Sequence, residues 1–220
     1  MKMAKFEPAA STSGRLMKTA SAARQCAGTR NKVAVEPMEV NHPLCAFLRG
    51  INVNGRNMKM SDVCQVFRRA GMESVDSVLA SGNILFRSEV PTTEMRGILE
   101  KAMSVHYSRE LSLFVKNAGE VRCILESVPF PPDPELHIYA FICQQGFETV
   151  LLEEFSKIEP SPREAASIQN GIFYWQVTKG STLEAGFSKV LGRKDMKDQF
   201  TSRNLNTIQK VYDKMKKMHS

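Results

Sequence analysis

The sequence predicts an α+β protein made of two tandem ferredoxin-like (βαββαβ-type) halves and a C-terminal helix. The first observation is the order strand, helix, strand, strand, helix, strand between residues 44 and 116, which is the split βαβ pattern. The second is that strand, helix and hairpin begin again at residue 137, after a proline-rich segment. The third is an apolar pattern at helical spacing over 204–218. Together these observations predict an internal duplication.

The first half, residues 43–128, opens with a continuous apolar run at Leu44–Leu48, which is typical of a strand buried on both faces. A helix is predicted between Ser61, a favourable N-cap, and Gly71, a favourable residue just past a helix end. Ser81–Asn83 separates two strand-like runs and predicts a hairpin. These signals define strand, helix and hairpin in that order.

Further elements complete this half and join it to the next. An apolar stripe predicts a helix from residue 92 to 107, followed by a strand at 111–116 and a helix at 118–126. The prolines of segment 129–136 predict a stiff, extended connector.

The second half, residues 137–220, repeats the pattern with little sequence identity to the first. A strand is predicted at 137–143 and a helix at 148–158. The favoured turn dipeptide Asn170–Gly171 predicts a second hairpin. A helix at 182–191, weakened by Gly186, precedes the terminal helix at 204–218.

Residues 1–41 contain few large apolar side chains and are rich in Ala, Ser, Thr, Lys and Arg. This composition predicts a disordered or targeting tail, and the lack of a 7–15-residue apolar core excludes a secretory signal. We expect a cytoplasmic protein, or an organellar one if residues 1–37 are a transit peptide. A third interpretation is that Met38 is the true start.

The formal net charge of +7 resides at the two ends of the chain. Residues 1–42 carry seven Lys or Arg against three Glu, and residues 189–220 carry nine against three Asp, which leaves fourteen against seventeen acids between them. The body is therefore slightly acidic, and the charge supports nucleic-acid binding only weakly.

The five cysteines are odd in number and widely spaced, without a CxxC pair. They predict buried, reduced thiols and neither disulfides nor a metal site. We expect no metal and no cofactor. No apolar run approaches the ~18 residues of a membrane-spanning helix, so no membrane association is expected.

Three ordered motifs resemble a known family: Arg49-Gly50-Ile51-Asn52-Val53 with Lys59-Met60, Ser81-Gly82-Asn83, and Thr201-Ser202-Arg203-Asn204-Leu205-Asn206-Thr207. They are similar to the family catalogued as domain of unknown function 1697 (DUF1697), and the resemblance spans roughly residues 43–211. The chain departs from the family at Asn54, where Gly is usual, at Ala80, where Gln is usual, and at Leu205, where an aromatic is usual. The resemblance implies no established activity.

The predicted topology brings polar groups to one edge of the first half. The first and third strands of a ferredoxin-like half are antiparallel neighbours, so Arg49 should lie beside the hairpin turn, where the first helix also begins. A guanidinium, amide side chains and free helix N–H groups favour an anion. The candidate ligand residues here are Arg49, Asn52, Asn54, Lys59, Ser61, Ser81 and Asn83. The alternative is that Asn and Gly only shape turns while Arg49 pairs with an acid.

A second polar cluster precedes the terminal helix and includes Arg203 and Asn204. Either Asn204 or Thr201 is merely a helix cap, or Arg203 and Asn204 close over the first site.

Three functions follow from these patterns. The first is a binding module for a small phosphorylated or carboxylated ligand. The second is a nucleic-acid binder that uses the basic termini and exposed strand aromatics such as Phe47 and Phe86. The third is an enzyme of unrecognised type, since the sequence contains no GxSxG, GxxxxGK[ST] or HExxH motif.

Overall fold

The computed structural model of the chain describes residues 42–53, 56–196 and 198–219. The predicted tail at 1–41, including the alternative start at Met38, lies outside the described residues.

The first half contains a four-stranded antiparallel sheet and three helices. Its elements are β1 (Leu44–Leu48), a short ribbon of β2 (Asn52–Val53) and β3 (Arg56–Asn57), α1 (Met60–Arg69), β4 (Glu73–Val78), β5 (Asn83–Arg87), α2 (Thr92–Tyr107), β6 (Leu113–Asn117) and α3 (Ala118–Glu126). The strand order β4-β5-β1-β6 is that of a ferredoxin-like sheet.

The second half repeats this arrangement. Its elements are β7 (Leu136–Cys143), α4 (Phe147–Ser156), β8 (Ala165–Gln169), β9 (Ile172–Thr178), α5 (Gly186–Leu191), a 3₁₀ turn (Lys194–Met196), β10 (Phe200–Asn204) and α6 (Leu205–His219). The order β8-β9-β7-β10 matches β4-β5-β1-β6 strand for strand, and α6 corresponds to α3. The prediction of two tandem ferredoxin-like halves is confirmed.

The strand β10 is the main element that the sequence analysis missed. Four of its five residues are polar, so no apolar run marks it, and the polar motif by itself predicts a helix start. Within the described chain β10 pairs only with β7. Phe200, Thr201 and Arg203 are nevertheless buried, because the first half covers one side of the strand.

The predicted N-cap of α1 is wrong. The amides of Asp62 and Val63 both donate to the carbonyl of Lys59, at 3.0 and 3.2 Å, so the helix begins at Met60 and Lys59 occupies the N-cap position. Ser61 lies inside the first turn, where its hydroxyl is 3.2 Å from Oδ1 of Asp62. The predicted C-terminal end is correct, since Gly71 follows the C-cap with φ +89°.

Each sheet packs one face on its own helices and the other on a core that both halves share. Leu44, Ala46 and Leu48 of β1 point to the cluster formed with α1 and α2, while Cys45 and Phe47 point to the shared core. This alternation explains why every residue of β1 is buried. The shared core also includes Leu85, Val121, Ile124, Ala140, Ile142, Tyr174, Ile208, Val211 and Met215, so α3 and α6 lie between the sheets.

None of the helices within the described residues combines the length and apolarity that crossing a bilayer requires. No group of three or more His, Cys, Asp or Glu side chains among these residues is placed to hold a metal ion.

Cys45, Cys64 and Cys143 are free thiols, and their burial has an electrostatic consequence. Desolvation raises the pKa of Cys143 from 9.0 to about 12, and the nearby Glu148 adds to this rise while Lys116 opposes it. Burial also raises the pKa of Cys45 and of Tyr174, whose hydroxyl donates to the carbonyl of Ile124 at 2.7 Å. These groups therefore stay protonated in the fold at a pH where the unfolded chain loses the protons.

We expect the free energy of unfolding to fall as pH rises above about 9. Above that pH the folded state binds more protons than the unfolded state. The stabilisation by these buried protonated groups is therefore fully present below their pKa in the unfolded chain, and it is lost as the pH rises towards their pKa in the folded protein. At pH 10, Cys45 and Cys143 should each account for a loss of about 1.4 kcal/mol. Urea unfolding at pH 7.5 and pH 10 measures the free energy of unfolding at each pH. The Cys143→Ala variant should show a smaller difference between the two values. A free energy that does not change between the two pH values would contradict it.

Candidate functional site

The polar edge predicted for the first half lies where β1 ends. In the β1–β5 ladder Phe47 is opposite Asn83, and the amide of Leu48 donates to the carbonyl of Gly82 at 2.8 Å. On the other side, the amide of Arg49 donates to the carbonyl of Ser112 at 2.9 Å. We call the surface formed by Arg49, Gly50, Ser81–Asn83 and the start of α1 the Arg49 edge.

The side chain of Arg49 is half-buried against the second half. Its Nη1 donates to the carbonyl of Phe200, and its Cζ lies 4.5 Å from the centroid of the Phe200 ring. Burial lowers the pKa of Arg49, and the negative charge of Asp198 partly offsets this. No carboxylate among the described residues forms a salt bridge with Arg49, and one of its five N–H donors has a described partner. The guanidinium therefore retains unused donors.

Two other cations lie along the same loop. The amide of Met58 donates to the carbonyl of Ile51 at 3.3 Å, which closes the loop and places Lys59 next to it. Arg109 reaches the loop from the segment before β6, and its Nη2 donates to the carbonyl of Gly50 at 2.9 Å. The side chain of Lys59 is exposed and makes no ion pair with a described residue. Positive charge thus surrounds the end of β1.

Tyr107, at the end of α2, places a buried hydroxyl in this region. The hydroxyl oxygen has no hydrogen-bond partner among the described residues. Desolvation raises the pKa of Tyr107, the charge of Asp62 raises it further, and the charge of Arg109 lowers it. Buried polar groups in proteins are rarely left unpaired, so this hydroxyl lacks an acceptor that water or a ligand would supply.

Asn83 and Ser81 make their contacts within the protein. Asn83 is buried, and its Nδ2 donates to the carbonyl of Val78 and to Oγ of Ser81, both at 2.9 Å. Its Oδ1 accepts a bond of 2.6 Å from Nε of Arg203. Each polar group of the Asn83 side chain is therefore occupied, and these bonds fix the shape of the turn.

Arg203 comes from β10 and reaches the Arg49 edge from the second half. It is 8% exposed, and burial lowers its pKa to about 10. Its five N–H donors contact Oδ1 of Asn83, Oγ1 of Thr201 (2.7 Å), and the carbonyls of Ser202 (2.8 Å), Leu48 (2.7 Å) and Gly82 (3.3 Å). No described carboxylate pairs with it. Arg203 therefore links the two halves through backbone carbonyls, and all its donors are used.

The remaining candidate residues have other placements. Asn204 caps α6, because its Oδ1 accepts the amide N–H of Asn206 at 2.9 Å, and its Nδ2 lies 3.0 Å from Nδ1 of His137. Its described contacts are thus with the second half. The backbone of Asn52 pairs with Asn57 in the β2–β3 ribbon, and Asn54 lies outside the described residues.

Three residues of this region were not found by the sequence analysis. Each lies far from Arg49 in the chain: Phe200 by 151 positions, Arg109 by about 60 and Tyr107 by about 58. None of them belongs to the three motifs that resemble a known family. Only Phe200 had a nearby signal, since it stands directly before the Thr201–Thr207 motif.

Comparisons with known proteins bear on the fold and the family. A family model described as "Protein of unknown function (DUF1697)" matches residues 42–174, which is more than half of the chain and ends before the Thr201–Thr207 motif. Among solved structures the chain is similar to the conserved bacterial protein SP0830 from Streptococcus pneumoniae, with a TM-score of 0.67 and 22% identity. That match covers 80% of this chain and 99% of the other. No curated protein matches the chain.

Proposed function

The chain belongs to the DUF1697 family, proteins of unknown function, and from this premise we propose that it binds a small phosphorylated or carboxylated ligand at the Arg49 edge. The observation that carries the proposal is the half-buried guanidinium of Arg49, which has no carboxylate partner among the described residues and one occupied donor. A partly desolvated guanidinium with free donors is a strong partner for an acidic oxygen.

The charges around Arg49 favour an anion over a neutral ligand. Arg49, Lys59 and Arg109 supply three positive charges, against the two carboxylates of Asp62 and Asp198. The N-cap Lys59 offers no side-chain acceptor, so the first two amides of α1, those of Met60 and Ser61, have no described acceptor and add partial positive charge at the start of the helix. The hydroxyl of Tyr107 adds a further donor without a described acceptor.

In this proposal Asn83 and Arg203 position the site and do not contact the ligand. All polar groups of these two side chains are occupied within the protein, at the turn around Gly82, at the end of β1 and within β10 itself. They therefore hold the backbone from which Arg49 projects, as supporting residues do in preorganised sites.

The nucleic-acid alternative has less support. Phe47 and Phe86, the strand aromatics available for base stacking, are both 0% exposed in cores beneath helices. Base stacking requires an accessible ring face. Turnover of a bound ligand is the measurement that separates a binding protein from an enzyme.

We expect Arg49→Ala to weaken binding of the small anion by about tenfold or more, because a charge-assisted hydrogen bond contributes roughly 1.5–3 kcal/mol. A thermal-shift panel of nucleotides, sugar phosphates and carboxylates identifies the ligand, and calorimetry well below the melting temperature then compares the variants.

The matched control is Arg69→Ala, which removes an exposed arginine from the other end of α1. It should leave affinity unchanged. Because Arg49 also contacts Phe200, the unliganded variant must first show an intact unfolding transition. A ligand that binds the folded Arg49→Ala variant as tightly as the original protein would refute the proposed site.

A further inference from the structure

A groove of about 630 Å³ lies where the end of the first half meets the second half, away from the Arg49 edge. Its walls come from the end of α3, the proline-rich connector, the first residues of β7 and the start of α6. Apolar side chains make up most of this lining, including Leu125, Val128, Phe130, Leu136 and Leu205. The volume falls within the range of about 300–1,000 Å³ that small-molecule sites occupy.

The polar side chains of the groove have a fixed arrangement. Oδ1 of Asn204 accepts the amide N–H of Asn206 at 2.9 Å, which sets the orientation of the Asn204 amide. Its Nδ2 must then donate to Nδ1 of His137, 3.0 Å away. An imidazole that accepts at Nδ1 carries its proton on Nε2. His137 is therefore held as a neutral donor, and no described residue accepts from Nε2.

Among the described residues that line the groove, one cation has no ion-pair partner. Asp133 is occupied, since its carboxylate pairs with Arg163 and accepts the amide of Glu135 at 2.8 Å. Lys179 also lines the groove, is exposed, and makes no ion pair with a described residue. The unpaired groups are thus the ammonium of Lys179 and the Nε2–H of His137, and both are donors.

We propose that this groove binds a small monocarboxylate with an apolar body. The apolar walls receive the body of the ligand, while Lys179 and His137 donate to the carboxylate. A single unpaired cation matches one negative charge and not the two charges of a phosphate ester. The inference goes beyond the Arg49 edge, with which the groove shares no lining residue.

The probe is 4-phenylbutyrate, and its neutral analogue 4-phenylbutyramide is the matched ligand control. We expect 4-phenylbutyrate to bind with an affinity of about millimolar, as suits so small a ligand. The amide should bind about tenfold more weakly, and Lys179→Met should weaken 4-phenylbutyrate about fivefold. NMR titration of the full chain measures both affinities. It also reports on the side-chain amide of Asn204 and the imidazole nitrogens of His137.

The matched protein control is Lys189→Met, which removes an exposed lysine on α5 outside the groove. It should leave the affinity for 4-phenylbutyrate, followed at Asn204 and His137, unchanged. Three outcomes would overturn the proposal: no saturation by 10 mM probe, equal affinity for the acid and the amide, or shifts at Asn204 and His137 no larger than elsewhere. An Nδ1–H signal in unliganded His137 would refute the assigned tautomer and with it the donor role.

Discussion

Replacing Arg203 by methionine should lower the free energy of unfolding by about 3–5 kcal/mol. The methionine retains the apolar stem but leaves Oδ1 of Asn83 without its donor. It also leaves the carbonyl of Leu48 with only the distant hydroxyl of Thr201, at 3.5 Å, whereas the carbonyl of Gly82 keeps the amide of Leu48. A buried acceptor without a partner costs about 1–3 kcal/mol, and removal of the unfavourably desolvated cation offsets only part of that sum. Urea denaturation of the full chain at pH 7.5 measures the effect.

Two matched variants show whether the lost free energy of unfolding comes from the hydrogen bonds of the Arg203 guanidinium. Arg203→Lys keeps the charge but cannot reach acceptors on both halves at once, so it should also destabilise the protein substantially. Arg193→Met removes an exposed arginine that pairs with Glu154 and Asp195, and it should cost less than about 1 kcal/mol. If Arg203→Met cost no more than Arg193→Met, Arg203 would not hold the two halves together.

Gly82→Ala should destabilise the protein by about 2–4 kcal/mol, whereas Gly171→Ala should cost only about 1 kcal/mol. The two glycines occupy equivalent hairpin turns of the duplicated halves, with φ of +72° and +73°. The left-handed backbone therefore penalises both substitutions alike. A Cβ at Gly82 would also lie 3.0 Å from Cγ2 of Ile51 and 3.1 Å from Cβ of Leu48, whereas nothing lies within 4 Å of one at Gly171.

The difference between the free energies of unfolding of Gly82→Ala and Gly171→Ala measures how tightly the Arg49 edge is packed. Leu48 Cβ is bound directly to a strand backbone that is hydrogen-bonded on both sides, so it cannot move away easily. Thermal and urea unfolding of both variants give the two free energies. Equal losses would mean that the turn tolerates a methyl group and that only backbone conformation requires glycine at residue 82.

The two halves contribute arginines from different strands to the contact between them. Arg49 projects from the end of β1 onto Phe200 of the second half, and Arg203 projects from β10 onto the end of β1. Arg203 uses all its donors within the protein, while Arg49 uses one on a described residue. This difference is why the proposed ligand is assigned to Arg49 and the structural role to Arg203.

Local signals in the sequence were sufficient for most of the fold. The continuous apolar run of β1, the glycine after α1 and the Asn170–Gly171 turn each reflect interactions between residues close in the chain. Because these signals recur in the same order, the duplication and the ferredoxin-like topology followed from them. The neighbouring positions of Arg49 and Ser81–Asn83 followed as well, since that topology pairs the first strand with the third.

The tertiary structure alone decided β10 and the partners of the polar residues. β10 has no apolar run, and it is buried because carbonyls more than 100 positions away compensate the desolvation of Arg203. The contacts of Arg49 with Phe200 and of Asn204 with His137 likewise depend on residues remote in the chain. A sequence pattern records which polar groups are present, but hydrogen-bond partners are set by the docking of the two halves, which no local spacing encodes.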